Sequence, residues 1–180
     1  LLNVVVLLHT CLFAGMESTL GFLATERLHF EPREIGYLFG FMGFMAALMQ
    51  GLLFRRLAPR IGARPLAIVG FALLAPGFAL IALVDGHPSV GLMVLGITVL
   101  AAGTGLVFPA LNTLVSLAAD ERNQGLALGS FRSASALGRA IGPLVAALVY
   151  FSWSPAAPYW IGAVGILLPL ALVAWARPRA

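Results

Sequence analysis

Lysine is missing from this 180-residue chain, so the eleven basic residues are all arginine, and only seven acidic residues oppose them. Charge of either sign is scarce at 10%, while 61% of the residues are hydrophobic and the mean hydropathy is +0.99. Soluble domains carry roughly 25% charged residues, and a water-soluble globule could not hide this much apolar surface. Cysteine occurs once, as Cys11 in the first apolar run, which excludes an internal disulfide and leaves the redox compartment unread. Histidine occurs three times, at His9, His29 and His87. The spacings Gly-x-Ser-x-Gly, His-Glu-x-x-His and Cys-x-x-Cys are all absent, so no nucleophile, base or metal-ligand set of those kinds is written in the chain. It opens at Leu1 directly inside an apolar segment, with neither the n-region nor the cleavage site of a signal peptide, and the expectation is the interior of a longer polypeptide.

What the sequence does contain is apolar runs of about 20 residues, the length at which a helix crosses ~30 Å of hydrocarbon. The fold class is therefore an all-α membrane protein of six transmembrane helices, read at residues 3–24, 35–54, 65–84, 89–117, 125–151 and 157–176. Breakers or charges separate them: Glu31-Pro32-Arg33-Glu34, Pro59 with Gly62, Asp85-Gly86-His87-Pro88, Asp120-Glu121-Arg122-Asn123, and Ser154-Pro155. The net charge of +4 and pI of about 10.2 do not point to nucleic acid once the arginines are located. Arg55, Arg56, Arg60, Arg64, Arg122, Arg177 and Arg179 fall on one side of the hairpins, and only Arg27 and Arg33 on the other. Seven against two places the N-terminus, the Arg55–Arg64 loop and the C-terminus in the cytoplasm.

Pro76, Pro109, Pro143 and Pro169 lie inside spans, where each frees a backbone carbonyl that neighbouring groups must satisfy. Gly36/Gly40, Gly125/Gly129 and Gly138/Gly142 are small-xxx-small pairs, which predict close packing of the second and fifth helices.

Ionisable side chains inside a span cost at least ~2.5–3.5 kcal/mol near the bilayer centre and are functional candidates by default. Glu17 in the first helix and Arg132 and Arg139 in the fifth qualify. Counted from the helix starts, Glu17 and Arg139 both lie about fourteen residues in, roughly 21 Å at ~1.5 Å per residue, and so are expected level with each other. Two readings of Glu17 stand side by side: a proton carrier or substrate-facing anion, and a static ion pair with Arg139. Arg132 and Arg139 either attract an anionic substrate or pair with Glu17 and backbone carbonyls. His9, placed by the same count level with Arg132, is a proton relay or a packing residue. Thr98, Gly105 and Asn112 recur every seven residues as a polar stripe on the fourth helix, and Gln50 adds an amide on the second. The Arg55, Arg56, Arg60, Arg64 cluster is an orientation signal, with anionic lipid headgroups as a second partner.

Several segments resemble the major facilitator superfamily. Asn123-Gln124-Gly125-Leu126-Ala127-Leu128-Gly129-Ser130, followed by Gly138-Arg139-Ala140-Ile141-Gly142-Pro143, is similar to the start and middle of the eleventh helix of its drug transporters. Pro59-Arg60-Ile61-Gly62-Ala63-Arg64 resembles the superfamily's basic cytoplasmic loop, with Pro59 where that pattern has Asp and Ala63 where it has Arg. Leu12-Phe13-Ala14-Gly15-Met16-Glu17-Ser18-Thr19-Leu20-Gly21-Phe22-Leu23 and Leu128-Gly129-Ser130-Phe131-Arg132-Ser133 resemble the tetracycline-transporter-like group, including its animal organic-anion members. The resemblance implies the C-terminal six-helix half of a twelve-helix transporter, built as a three-plus-three inverted repeat. It implies an inner or plasma membrane location and secondary active transport of a small organic solute, an organic anion or a tetracycline-like drug. Proton coupling and an N-terminal half as partner are implied as well, with no cofactor or metal. It also makes a demand: the third and sixth helices should be peripheral, the first, second, fourth and fifth should line the cavity. The third predicted helix has no charged, amide or hydroxyl side chain, and Glu17, Gln50, Thr98, Asn112, Arg132 and Arg139 all fall on the other four. An intramembrane enzyme and a receptor or scaffold are the alternative classes; the first lacks a reactive constellation and the second predicts no accessible central cavity.

Overall fold

A computed structural model describes residues 1–120 and 122–175. Six helices in it are long and apolar enough to cross a membrane: α1 (Leu2–Leu28), α2 (Pro32–Ile61), α3 (Ala63–Leu83), α4 (Val90–Ala118), α5 (Gln124–Ser152) and α6 (Ala157–Trp175). Arg177 and Arg179, counted above for orientation, lie outside the described residues.

The helix ends depart from the sequence reading where capping chemistry was mistaken for breaking chemistry. Glu31-Pro32-Arg33-Glu34 is not a loop but the start of α2. Pro32 sits at the first helical position, where its missing N–H costs nothing, and the Glu31 N–H donates to the Glu34 carboxylate at 2.9 Å. α1 runs one turn past residue 24 and closes with His29 in the left-handed region, φ 56°, while the Phe30 N–H reaches back to the Ala24 carbonyl. α2 continues past residue 54: after a π-helical stretch at Met49–Phe54, Arg55–Ile61 is again α-helical. The basic "loop" is thus mostly the last two turns of α2. Gly62, at φ 84°, is the only residue between α2 and α3. Pro169 explains the break in α6. It has no N–H to offer the Gly165 carbonyl four residues back, and the helix is interrupted at Ile166.

The core is made chiefly by two helix pairs. α3 packs along α4, and α1 along α5; α6 leans on α3 and α1, and α2 touches mainly α4. Both main pairs are close because glycines remove side chains at the crossing points. A Cβ on Gly70 would meet the Gly103 carbonyl and Val107, and one on Gly77 would meet the Leu100 backbone at 2.9–3.0 Å. On the other pair, a Cβ on Gly142 would collide with the Cys11 carbonyl, and one on Gly138 with Thr10 and Leu7. Without a hydrophobic driving force between helices in lipid, such close van der Waals contact is what holds them.

α2 is different. Across its thirty residues only Leu38 and Met42 are buried. Cβ atoms on Gly36, Gly40 and Gly43, or on Gly125 and Gly129 of α5, would meet nothing. The expectation that Gly36/Gly40 and Gly125/Gly129 pack helices is therefore corrected within this chain; only Gly138/Gly142 does so.

Candidate functional site

Two clefts gather His9, Thr10, Gln50, Thr104, Asn112, Arg132, Ser135 and Arg139 from inside the spans. The larger, about 410 Å3, lies between α4 and α5 and is lined by Phe108, Asn112, Phe131, Arg132, Ser135, Ala136 and Arg139. The smaller, about 180 Å3, is lined from α1 by His9, Thr10, Phe13 and Ala14, and from α2 by Ala46 and Gln50. Thr104, Gly105 and Phe108 of α4 and Arg139 of α5 complete it. Phe108 and Arg139 belong to both, so the two clefts adjoin each other. No residue of α3 or α6 lines either cleft, and the walls come from α1, α2, α4 and α5.

The close approach of α2 to α4 shapes the smaller cleft. A Cβ on Gly105 would strike the Ala46 carbonyl and the Met49 side chain at 2.7 Å, so glycine is what lets α2 come near. The π-helical stretch begins at that contact, at Met49, and Gln50 is its second residue. Wide turns of this kind interrupt the α-helical ladder and often sit at functional sites.

Hydroxyls within the spans mostly satisfy themselves. Thr10, Ser18, Thr19, Thr98 and Thr113 reach back three or four residues to a carbonyl of their own helix. Thr104 makes no such bond, and neither its Oγ1 nor His9 Nδ1 has a hydrogen-bond partner, although both atoms are buried. Each such atom costs about 1–3 kcal/mol unless something answers it, and orphaned polar atoms beside a cleft mark where a polar group would be welcome.

Five of the seven candidate residues read from the sequence meet at the clefts: His9, Gln50, Asn112, Arg132 and Arg139. Thr98 does not. Its half-buried hydroxyl donates to the Val94 carbonyl at 2.7 Å, and the polar stripe on α4 begins only at Thr104 and Gly105. Asn112 spends one N–H on the Phe108 carbonyl at 3.0 Å, which leaves its other groups to the larger cleft.

Glu17 requires a larger correction. The expected contact with Arg139 or Arg132 is not formed; among the described residues the only ion pair is Arg27–Asp85, at 2.7 Å near the opposite end of α1. Equal counts from two helix starts gave equal depths, but the register is set by packing. Asn3 bonds Ser130, Thr10 and Cys11 abut Gly138, and Gly15 meets Gly142 and Ala146. α1 and α5 therefore run parallel, and Arg139 is level with Thr10–Leu12 rather than with Glu17. Glu17 lies about six residues further along, roughly 9 Å at ~1.5 Å per residue. Arg132 is level with Val4–Val5, a turn from His9, while His9 and Arg139 share a cleft. Glu17 is half-buried, four residues beyond Phe13, and so continues by one turn the stripe of α1 that faces the smaller cleft.

Arg64 also has a role the sequence did not disclose. From the first turn of α3 it donates to the carbonyls of Val173 and Ala174, at 3.1 and 2.7 Å, in the last turn of α6. A guanidinium there satisfies terminal carbonyls and meets the negative end of the helix dipole. Arg55, Arg56 and Arg60 are exposed. At the other end of the bundle, the Tyr150 hydroxyl donates to Glu26 at 2.9 Å, and the hydroxyls of Thr19 and buried Tyr159 lie 3.0 Å apart, tying α1 to α5 and α6.

A bundle of six membrane-length helices with polar clefts between them is the architecture of an integral membrane protein. The chain matches the Major Facilitator Superfamily over residues 5–180 and belongs to that family. It is 36% identical over 173 residues to major facilitator superfamily domain-containing protein 10 of Mus musculus, covering 96% of this chain and 37% of that protein. It is 27% identical over 156 residues to the class B tetracycline resistance protein of Escherichia coli, covering 86% and 38%. The crystal structure of the human organic anion transporter MFSD10 superposes with a TM-score of 0.88 at 32% identity, covering 96% of this chain and 39% of that one. A peptide transporter, POT, shares the fold at 18% identity with a TM-score of 0.82. The chain thus spans under two fifths of the relatives it matches.

Proposed function

We propose that this chain is the C-terminal half of a twelve-helix secondary transporter, in an inner or plasma membrane, that moves a small organic solute by alternating access coupled to protons. The observation that carries the reading is the placement of the clefts: they are lined by α1, α2, α4 and α5, contain Arg132, Arg139, Gln50 and Asn112 within the spans, and are absent from α3 and α6. Intramembrane charges of this kind face water-filled paths or partners, and neither arginine has a carboxylate partner among the described residues. The open glycine faces of α2 and α5 support a second six-helix half as the missing neighbour. Organic anions and tetracycline-like drugs are the substrate classes, by analogy with the names of the relatives. The orientation with cytoplasmic termini rests on the arginine count, and Arg55, Arg56 and Arg60, exposed at the end of α2, suit anionic headgroups there.

Glu17 is the residue assigned to proton coupling. It is a carboxyl within a span that forms no ion pair among the described residues, and a carboxyl so placed is a functional candidate by default. In the intact protein reconstituted into liposomes, Glu17→Gln is expected to abolish uptake driven by a pH gradient and to leave substrate binding and exchange measurable, because the amide keeps the shape and loses the titration. Undiminished proton-driven uptake in that variant removes Glu17 from the mechanism. Failure of the intact protein to move any solute removes the transport reading itself.

A further inference from the structure

We propose that the two adjoining clefts form one oriented site for an apolar organic anion, with its carboxylate in the smaller cleft and its hydrocarbon body in the larger. This rests on the transport reading and adds which end of the substrate goes where.

The smaller cleft is suited to an oxyanion. All four of its side chains that carry hydrogen-bonding nitrogen or hydroxyl groups and stand free there, Arg139, Gln50, Thr104 and His9, are able to donate, and among the described residues no acidic one lines either cleft. Arg139 brings a planar fork matched to a carboxylate. Thr104 Oγ1 has not turned back on its own helix, and with His9 Nδ1 it is a buried polar atom lacking a partner among the described residues. A volume of about 180 Å3 holds a headgroup and little more.

The larger cleft, about 410 Å3, has the size of a small-molecule site. Phe108 and Phe131 form an aromatic wall across it, with ring centroids 6.5 Å apart at 50°. Phe108 and Arg139 each line both clefts, so in the proposed pose one ligand lies on the ring and meets the guanidinium. Arg132 is the rival anchor. Its neighbours in the larger cleft are Asn112, Ser135 and Arg139, and the two buried polar atoms without a partner among the described residues, on His9 and Thr104, lie at the smaller cleft instead.

The test uses the intact protein in lipid nanodiscs and two probes of one shape, 2-naphthoate and its neutral counterpart 2-naphthamide, measured by titration calorimetry. The wild type should bind the carboxylate tighter by about tenfold, the worth of a charge-assisted contact. Arg139→Gln should erase that preference while still binding the amide, which shows the variant is folded; Arg139→Lys should keep part of it. Thr104→Val should weaken the carboxylate a few-fold and spare the amide. Arg132→Gln should weaken both probes alike. A preference kept in Arg139→Gln and lost in Arg132→Gln overturns the orientation, and equal or absent binding of the two probes by wild type overturns the anion site. A protein that transports solute yet shows no charge preference sinks this inference alone. One with the preference but no transport in liposomes sinks the transport reading alone.

Discussion

The glycines of α3 and those of α2 look alike in the sequence and behave oppositely in the fold. Gly70 and Gly77 stand where α4 comes so near that no side chain fits, whereas Gly36, Gly40 and Gly43 face open space. α3 is the most apolar of the six spans and is buried along half its length; α2 has two buried residues in thirty. One pair of glycines is closed against a neighbouring helix, and the other row faces open space. α3–α4 and α1–α5 have already satisfied their small-residue faces internally. α2 and the outer face of α5, with Tyr37, Phe44, Leu126, Leu137, Leu144 and Leu148 exposed, have not.

The sharpest way to break that comparison is to fill a closed glycine. Gly142→Leu places a branched side chain on the Cys11 carbonyl, and the overlap is with backbone that cannot rotate away. The expected cost exceeds the ~1–3 kcal/mol of ordinary overpacking. Size-exclusion chromatography of the solubilised protein should show loss of the monodisperse peak. A variant that stays folded would mean the α1–α5 register is not the one described, and would reopen the pairing of Glu17 with Arg139. Gly105→Ala should come next. It presses α2 away from α4 where the two backbones come close at Ala46 and Met49, within the ~1–3 kcal/mol of overpacking, and should loosen the smaller cleft before it unfolds the bundle.

How much of this was legible in advance follows the same division. Six spans, their class and the four cavity helices were readable because length, apolar runs and the distribution of polar residues are local properties. Cap chemistry at Glu31–Glu34 was readable in principle, since Pro at a first helical position with an acidic residue two positions on is a start signal as much as a break. The level of Glu17 against Arg139 was not, because it depends on which glycine meets which carbonyl across α1 and α5, more than 120 residues apart in sequence. The same holds for Arg64, whose acceptors lie at Val173 and Ala174, and for Thr104, which differs from Thr98 in lacking a back-bond and in lining the smaller cleft.

A smaller effect sharpens the picture at the far end of α1. Tyr159 is fully buried, and its hydroxyl lies 3.0 Å from that of Thr19, which also has the carbonyls of Gly15 and Met16 within reach. Thr19→Val leaves the Tyr159 hydroxyl buried without a partner, for ~1–3 kcal/mol. Tyr159→Phe should cost less, because the Thr19 hydroxyl keeps its backbone acceptors. Thermal unfolding of both single variants and the double would show this asymmetry, and equal costs would mean that Thr19 relies on Tyr159 rather than on its own helix.

The smallest expected effect is the most informative about the open side. Gly40→Ala adds one methyl group where nothing stands within 4 Å. Glycine costs ~0.8–1 kcal/mol relative to alanine in a helix interior, so in the 180-residue chain by itself the substitution should be neutral or should stabilise α2 by up to about that amount. In the intact protein the sign should reverse if a helix of a second half packs against Gly36 and Gly40, since the methyl would then hold two backbones apart. Heating midpoints of the chain and of the intact protein, each with and without Gly40→Ala, give the comparison directly. A gain in both would show that α2 faces lipid along this row, and the second half would then have to dock through α5 and the remaining face of α2. A loss in the chain alone would mean that the glycine row is already closed against a neighbour within this bundle, and the contrast with α3 would disappear.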